Sequence, residues 1–329
     1  MADPRIYTIG WISATEIESV AAQQFFDERH PIPEQVTRHD NNVYALGRIG
    51  HHNVVMACLP MGEYGSTTAT RVARDILNSF PNVCLGLMVG VGGGAPTADD
   101  DIRLGDVVVS STANNIGGVF QYDYGKTIQD QAFQYTRMLD QPPKPLRLAV
   151  STLKAQYRCD GHQLDFKVRQ ILEKKRRLQK HFSRPADESD VLYRSNVVHH
   201  EHCGKECAGN PSDLVPRRRR GEDEDLPVIH YGLIASGNQL MMDAVVRDKL
   251  AAGKGALCFE MEAAGLMNHF PCLVVRGISN YADTHKNGKW EGYAAMAAAA
   301  YAKDVLSHIP ETKAGSERSL NEELSSGMI

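Results

Sequence analysis

The sequence predicts an α/β fold in which one central β-sheet is covered by helices on both faces. Short apolar runs alternate with segments of helical periodicity along much of the 329 residues. The runs are apolar throughout rather than at every second position, as strands that are buried on both faces require. A chain of this length allows one large domain or two ordinary ones.

The N-terminal third supplies three of the predicted strands and one helix. Apolar runs at 6–12, 54–59 and 85–91 are rich in β-forming residues and are bounded by turn residues. An amphipathic helix is predicted over 67–80, where apolar residues recur at helical spacing: Ala69, Val72, Ala73, Ile76 and Leu77.

The remaining predicted elements follow the same alternation. Further strands are predicted at 107–110, 229–235, 256–261 and 273–278. The alanine-rich stretch 291–308 favours a helix that packs closely and completes the domain.

Two segments depart from this alternation. Over about 150–227 the apolar periodicity weakens, which predicts an insertion that is part helix and part mobile loop. Within it, four arginines at 217–220 are followed by acidic residues, so we expect a solvated loop rather than a nucleic-acid patch. Residues 310–329 are polar and predict a disordered tail, which leaves 1–309 as the folded domain.

Composition excludes several classes of function. The net charge is −4, so there is no bulk attraction to nucleic acid or to an acidic membrane. No apolar run reaches the length of a membrane span, and the first residues lack the pattern of a signal peptide. Several of the seven cysteines lie in apolar runs, which is not the pattern of a disulfide framework. We therefore expect a soluble cytoplasmic protein.

Two motifs follow predicted strands near the N-terminus. The glycine run at 90–94 ends a strand, where glycine lets a ligand approach the main chain; a plain turn is the alternative. The run lacks the spacing of a dinucleotide or P-loop site. The segment 13–18 places carboxylates after the first strand, at what would be the same edge of the sheet.

Two more motifs lie near the C-terminus. Glu260 and Glu262 flank Met261 at a predicted strand-to-helix junction, so they either share one face of the strand or cap the helix. The segment 276–283 brings polar residues directly out of an apolar strand, where side chains face the ligand crevice of an open α/β sheet.

Together these motifs resemble the superfamily of purine nucleoside phosphorylases, uridine phosphorylases and nucleosidases. The similarity is greatest to a fungal branch in which such a domain stands at the N-terminus of immune-receptor-like proteins. It extends from Arg5 to His308, and its strongest segments are 88–96, 103–110, 121–126, 230–241, 258–283 and 284–303. The resemblance implies a single domain with a mixed, partly barrel-like sheet flanked by helices.

The resemblance also implies roles for individual residues. Glu262 would accept hydrogen bonds from the ribose 2′ and 3′ hydroxyls, with Met261 packed beneath the sugar. Asn280 stands where most relatives have an Asp that protonates the purine N7 or hydrogen-bonds to it. An amide can donate to N7 and to a 6-oxo group but cannot protonate, so the chain either favours 6-oxopurines or releases a base that is protonated by water. Asp283 is a candidate substitute acid.

The nucleophile is predicted from the residues at the family's phosphate-binding positions. There this chain has Met88, Val91 and Glu18, none of which supplies a charge-assisted donor to a dianion. In related nucleosidases the position of Glu18 holds the carboxylate that activates water. The sequence therefore predicts hydrolysis: Glu18 would activate water, Glu262 would hold the ribose and Asn280 the purine.

The resulting hypothesis is a purine nucleosidase that needs no cofactor and forms a homo-oligomer. Its substrates would be inosine, guanosine or adenosine. The substrate-binding residues are predicted to be Val91, Gly92, Leu240, Met241, Glu260, Met261, Glu262 and Ser279. The alternatives are a phosphorylase that binds phosphate through Arg71, His51 or His52, and a non-catalytic nucleoside sensor. No metal is expected, because the histidines and cysteines of 199–207 do not have the spacing of a standard zinc knuckle.

Overall fold

Strands and helices alternate regularly over residues 229–307, whereas the rest of the described chain also contains successive strands and successive helices. The computed structural model describes residues 2–33, 36–112, 116–200, 207, 210–221, 224–310 and 319–320. The strands are β1 (Ile9–Ser13), β2 (Glu28–His30), β3 (Tyr44–Ile49), β4 (His52–Cys58), β5 (Leu85–Gly94), β6 (Val107–Ser110), β7 (Val119–Gln121), β8 (Gly125–Lys126), β9 (Gln134–Tyr135), β10 (Ile229–Ser236), β11 (Ala256–Glu260) and β12 (Cys272–Asn280). The helices are α1 (Glu16–Gln23), α2 (Ser66–Ser79), α3 (Lys144–Asp160), α4 (Leu164–Lys174), α5 (Arg176–Phe182), α6 (Ala244–Lys254), α7 (Ala263–Leu266) and α8 (Glu291–Ser307).

The main sheet is mixed and closes on itself at one end. Its strand order is β11-β10-β6-β12-β5-β1-β4-β3-β2, and β11 also pairs with β5. That extra pairing is antiparallel and joins Cys258 to Gly94 and Phe259 to Gly93. Five strands, β5, β12, β6, β10 and β11, thus form a barrel-like ring, and β1, β4, β3 and β2 extend it from β5 as an open sheet. β7 pairs with β10, and β8 and β9 form a separate two-stranded sheet. The predicted α/β fold with a mixed, partly barrel-like sheet is confirmed.

The glycine run is the last part of strand β5 and lines a cavity, so the alternative of a plain turn after the strand is wrong. β5 continues to Gly94, and its last residues make the pairing with β11 that closes the ring. A glycine is needed at this end of β5 because the side chain of Asn280 lies close to the β5 main chain. A Cβ on Gly93 would lie 2.8 Å from the side-chain oxygen of Asn280. The ends of β5, β11 and β12 therefore meet at one point.

The helical part of the insertion packs into the core, although its sequence shows weak periodicity. Leu164, Val168 and Leu172 of α4 are buried, and α4 lies against α8. α8 is itself buried along nearly its whole length, because its alanines allow β5, β12 and α1 to approach it closely. The many basic residues of 167–180 conceal this apolar stripe in the sequence.

The arginine run is only partly solvated, contrary to the expectation from sequence. Arg220 donates to both carboxylate oxygens of Asp106, at 2.6 and 2.5 Å, and the two side chains are 10% and 1% exposed. Arg217 lies 3.0 Å from Asp190, also out of solvent, whereas Arg218 pairs with Glu224 at the surface. Tertiary partners distant in sequence thus shield the first and last arginines of the run, whereas Arg218 and Arg219 stay exposed.

Breaking the Asp106 pair should destabilise the protein. Asp106→Asn leaves the buried Arg220 guanidinium without a counter-charge, a change that costs about 3–5 kcal/mol in comparable sites. Burial by itself would raise the pKa of Asp106, but Arg220 and His230 hold this pKa below its ordinary value. The Asp106 carboxylate therefore stabilises the fold fully at a pH above the pKa that it has in the unfolded chain. This stabilisation is lost as the pH falls through the lower pKa of the folded state. Urea denaturation measures the change.

Glu224→Gln is the matched control, since it removes the partner of Arg218 from an exposed pair. We expect its denaturation midpoint to stay near that of the wild type. Equal midpoints for Asp106→Asn and the wild type would contradict this account of the insertion's attachment.

Three smaller observations complete the fold. In the predicted tail, Leu320 is buried and its N–H donates to the carbonyl of Val83 at 3.0 Å. Among the described residues, no helix combines the length and apolar character that crossing a membrane demands. Among the described cysteines, Cys58, Cys159, Cys258 and Cys272 are free thiols.

Candidate active site

A cavity of about 460 Å³ opens where the ends of β5, β11 and β12 meet the start of α1. This is the edge at which the sequence motifs were expected to converge. The predicted residues that line it are Glu18, Val91, Gly92, Leu240, Met241, Glu260, Met261, Glu262, Ser279 and Asn280.

Glu18 reaches the cavity from the first turn of α1. The helix begins with a capping box, in which Thr15 accepts from the N–H of Glu18 and the Glu18 carboxylate accepts from the N–H of Thr15. The carboxylate also accepts from Ala14 N–H at 2.6 Å and from Val91 N–H at 2.8 Å. Three main-chain donors therefore fix its position on the cavity wall.

Glu18 is 3% exposed, and burial raises the pKa of its carboxyl above the ordinary value, although Arg276 and the three main-chain donors oppose this. Its approach to β5 depends on Gly90, because a Cβ there would overlap the Glu18 carboxylate. A carboxyl with a raised pKa is a better proton acceptor, as activation of water requires.

Arg276 lies beneath the cavity and holds three carboxylates. It stands on β12, is fully buried, pairs with Glu260, and lies 3.4 Å from Glu262 and 3.9 Å from Glu18. Burial by itself would lower the pKa of Arg276, but the carboxylates raise it above its ordinary value, so it stays charged. The sequence contains this arginine as a charge within an apolar run, a signal to which no role was assigned.

Glu260 and Glu262 do different things in the structure. Glu260 accepts from the main-chain N–H groups of Glu262 and Ala263 at the start of α7, besides pairing with Arg276, so it caps the helix. Glu262 accepts from Gly65 N–H at 3.2 Å and is 4% exposed. Of the alternatives left open by the sequence, the helix cap is supplied by Glu260, and both Glu260 and Glu262 line the cavity.

Burial is the main reason why the pKa of Glu262 is raised to about 7. Arg276 opposes the shift, whereas the neighbouring carboxylates Glu260 and Glu18 reinforce it. One buried cation faces three acids, so the site retains either a proton or an excess of negative charge. A cavity of this charge favours a cationic ligand or transition state over an anion.

Asn280 projects its amide nitrogen from the end of β12. Its side-chain oxygen accepts from Ala282 N–H at 2.9 Å, and its nitrogen donates to the Ser279 hydroxyl at 3.1 Å. The main-chain donor fixes the orientation of the amide, since only the oxygen can accept that bond. One N–H of the amide remains to donate to a ligand.

Asp283, the candidate substitute acid, lines a neighbouring cavity and not this one. Its carboxylate accepts from the main-chain N–H of His285 at 2.9 Å and lies 3.9 Å from Arg247. Asp283 thus stands apart from the cavity that holds Glu18 and Glu262 and shares only the neighbouring one with Asn280.

The rest of the cavity is mostly apolar. Leu240 and Met241, on the segment after β10, line the cavity together with Phe259 of β11. Sequence reasoning missed several lining residues: Tyr64, Gln239, Phe259, Lys286 and Glu291. They lie on loops or element ends, where no periodicity indicates which way a side chain points.

The residues considered as alternative phosphate ligands lie outside the cavity lining. Arg71 pairs with Glu63 at the surface, His51 is exposed, and His52 is buried against the carbonyl of Ile309. Among the described lining residues, Lys286 is the one cation, against four carboxylates: Glu18, Glu260, Glu262 and Glu291.

Comparisons with known proteins agree on one family. A family model described as "Phosphorylase superfamily" matches residues 8–309. A nucleotide-binding leucine-rich repeat (NLR)-like protein of Hyaloscypha variabilis is 42% identical over 306 residues, which are 92% of this chain and 29% of that protein. The chain thus spans under a third of the length of this relative.

Two solved structures share the fold. Native futalosine hydrolase of Helicobacter pylori aligns with a TM-score of 0.56 at 17% identity, covering 92% of this chain and 98% of that one. The 5′-methylthioadenosine/S-adenosylhomocysteine nucleosidase of Neisseria meningitidis, in complex with methylthio-immucillin-A, aligns with a TM-score of 0.57 at 14% identity, covering 91% and 98%. At such identities the likeness concerns the fold alone.

Proposed function

The chain belongs to the phosphorylase superfamily, and we propose that within it this protein is a purine nucleosidase. It hydrolyses the N-glycosidic bond of purine ribonucleosides to the free base and ribose. The observation that carries the proposal is the Glu18 carboxylate, fixed on the wall of a cavity lined by acids. A phosphate dianion would need charge-assisted donors in that place, whereas water needs a base.

In the proposed reaction Glu262 binds the ribose diol and Glu18 accepts a proton from water. The water oxygen bonds to C1′ as the bond from C1′ to the purine nitrogen breaks, and the electron pair of that bond leaves with the base. Positive charge develops on the sugar in the transition state, and the carboxylates around Arg276 stabilise it. The amide of Asn280 donates to N7 or to a 6-oxo group, and solvent supplies the proton of the departing base.

The proposal predicts a pH dependence that arises at Glu262. Because burial raises the pKa of this carboxyl to about 7, it is largely protonated below that pH and cannot accept two hydrogen bonds from the diol. We expect kcat/KM to rise as the pH increases through about 7. Glu262→Gln should lower kcat/KM and abolish its rise with pH. If kcat/KM of the variant still rose over the same pH range, another group would be the one that titrates.

A panel of nucleosides in phosphate-free buffer tests the proposed activity. Chromatography should show free base and ribose from inosine and guanosine, with adenosine slower because its 6-amino group cannot accept from Asn280. Pyrimidine nucleosides should be inert. Release of base from uridine at the rate of inosine would contradict purine specificity.

A nucleoside-sensing module is the second candidate, favoured by Asn280 and by the similarity to an NLR-like protein. Under this alternative the cavity binds nucleoside without turnover. Calorimetric binding of inosine with no base released over many hours would support the sensor and overturn the nucleosidase.

A further inference from the structure

A second cluster of reactive side chains lies beside the candidate active site. His199 and Cys207 of the insertion and His285, which follows β12, have ligating atoms that all lie within 4.8 Å of one another. They share a cavity with Ser279 and Asn280, so this cavity adjoins the proposed purine end of the active site. The function proposed above gives these three residues no role.

His285 supplies the strongest evidence that something is bound there. Its side chain is 8% exposed, yet neither ring nitrogen makes a hydrogen bond with any part of the chain that the structure describes. A buried imidazole without partners costs free energy, which a ligand would recover. One carboxylate oxygen of Asp283 lies 3.7 Å from Nδ1, too far for a hydrogen bond but close enough to accept one after a small movement.

The three side chains are already held in place. The ring of Tyr193 stacks on His285 with centroids 3.7 Å apart and planes 8° from parallel, and its hydroxyl donates to the carbonyl of Cys207 at 3.2 Å. The N–H of His199 donates to the hydroxyl of Thr284 at 2.8 Å. These contacts join the insertion to the segment after β12: they hold the main chain at His199 and Cys207 and the imidazole ring of His285.

The donor set identifies the kind of ligand. Nδ1 of His199 lies 3.0 Å from Sγ of Cys207. Two imidazoles and a thiolate are typical ligands of Zn²⁺, whose bonds of about 2.0–2.3 Å place its ligand atoms roughly 3.5 Å apart. We infer that His199, Cys207 and His285 bind a zinc ion that joins the insertion to the segment after β12.

The inferred site explains both nitrogens of His285. One binds the ion, and the other donates to Asp283, the carboxylate–histidine–zinc arrangement that orients a ligating imidazole. The expectation from sequence that no metal binds is replaced by this proposal; His202 and Cys203 of the same motif lie outside the described residues, and the proposal does not use them.

Metal analysis of the whole chain tests the site. The protein, purified without chelators and then dialysed against Zn²⁺, should hold about one zinc per chain by mass spectrometry. Cys207→Ser and His285→Ala should lose it. Cys159→Ser and His51→Ala, which alter exposed residues outside this cavity, should keep it.

Cobalt provides a spectroscopic readout of the site that the wild-type protein gives without any substitution. Wild-type protein loaded with Co²⁺ should show the visible bands of a tetrahedral site and a near-ultraviolet band from thiolate to cobalt. The charge-transfer band should disappear in Cys207→Ser, and circular dichroism shows whether that variant is folded. Failure of the wild type to bind either ion at micromolar concentration would overturn the inference, as would zinc retained by both ligand variants.

Discussion

Glu18→Gln should reduce the release of base from inosine by about 10²- to 10⁴-fold, the usual contribution of a general base. The amide cannot take the proton of the attacking water. Binding of the nucleoside should change little, because the sugar and base contacts lie on other residues. Steady-state kinetics of base release measure both effects, with the loss in kcat rather than in KM.

The fold of this variant has to be checked, since the wild-type carboxylate accepts on both oxygens. The single side-chain oxygen of Gln can accept either from the N–H groups of Ala14 and Thr15 or from that of Val91. At least one main-chain N–H is then left without an acceptor, at a cost of about 1–3 kcal/mol. Thermal denaturation separates that cost from the loss of catalysis. Glu16→Gln, on the exposed side of the same helical turn, is the matched control and should keep wild-type rates. Wild-type turnover by Glu18→Gln would show that Glu18 is not the base.

Asn280→Asp should have the opposite effect on adenosine, increasing its kcat/KM by roughly 10²-fold. The new carboxyl adds an acid where the amide can only donate a hydrogen bond. The surrounding excess of carboxylates should raise the pKa of this Asp, which keeps a share of it protonated near neutral pH. The gain should therefore be largest at mildly acid pH.

The same substitution should lower activity on inosine and guanosine at higher pH, where an ionised Asp would repel the 6-oxo group. Asn287→Asp, on an exposed stretch of the same segment, is the control and should leave the preference for inosine and guanosine over adenosine unchanged. A variant that is no faster on adenosine at any pH would contradict the role assigned to Asn280.

The sequence predicts β1, β4, β5, β6, β10, β11 and β12, because strands buried on both faces are apolar at every position. It does not predict β2, β3, β7, β8 or β9, most of which are only two or three residues long. The run 107–110 coincides with β6, and the helix expected over 67–80 is α2 within a residue at either end. Closure of the ring was not visible in the residues, since it depends on two glycines pairing with β11. It entered only through the resemblance to the family.

The site was predicted where chemistry depends on residue type, and missed where it depends on tertiary position. Glu18, Glu262 and Asn280 converge on one cavity as expected. Arg276 was included in the polar segment 276–283 but given no role, because a single charge in a strand does not reveal three carboxylate partners distant in sequence. Asp283 was misplaced for a related reason: three residues beyond Asn280, the chain has turned toward Arg247.

The proposed nucleosidase reaction requires that water, and not phosphate, attacks C1′ of the sugar. The most direct test follows base release from inosine as phosphate is added, with the sugar product identified by chromatography. We expect the rate of base release to be independent of the phosphate concentration. The sugar product should be free ribose at every phosphate concentration. A rate that rises from zero with phosphate, with ribose 1-phosphate as the product, would contradict it.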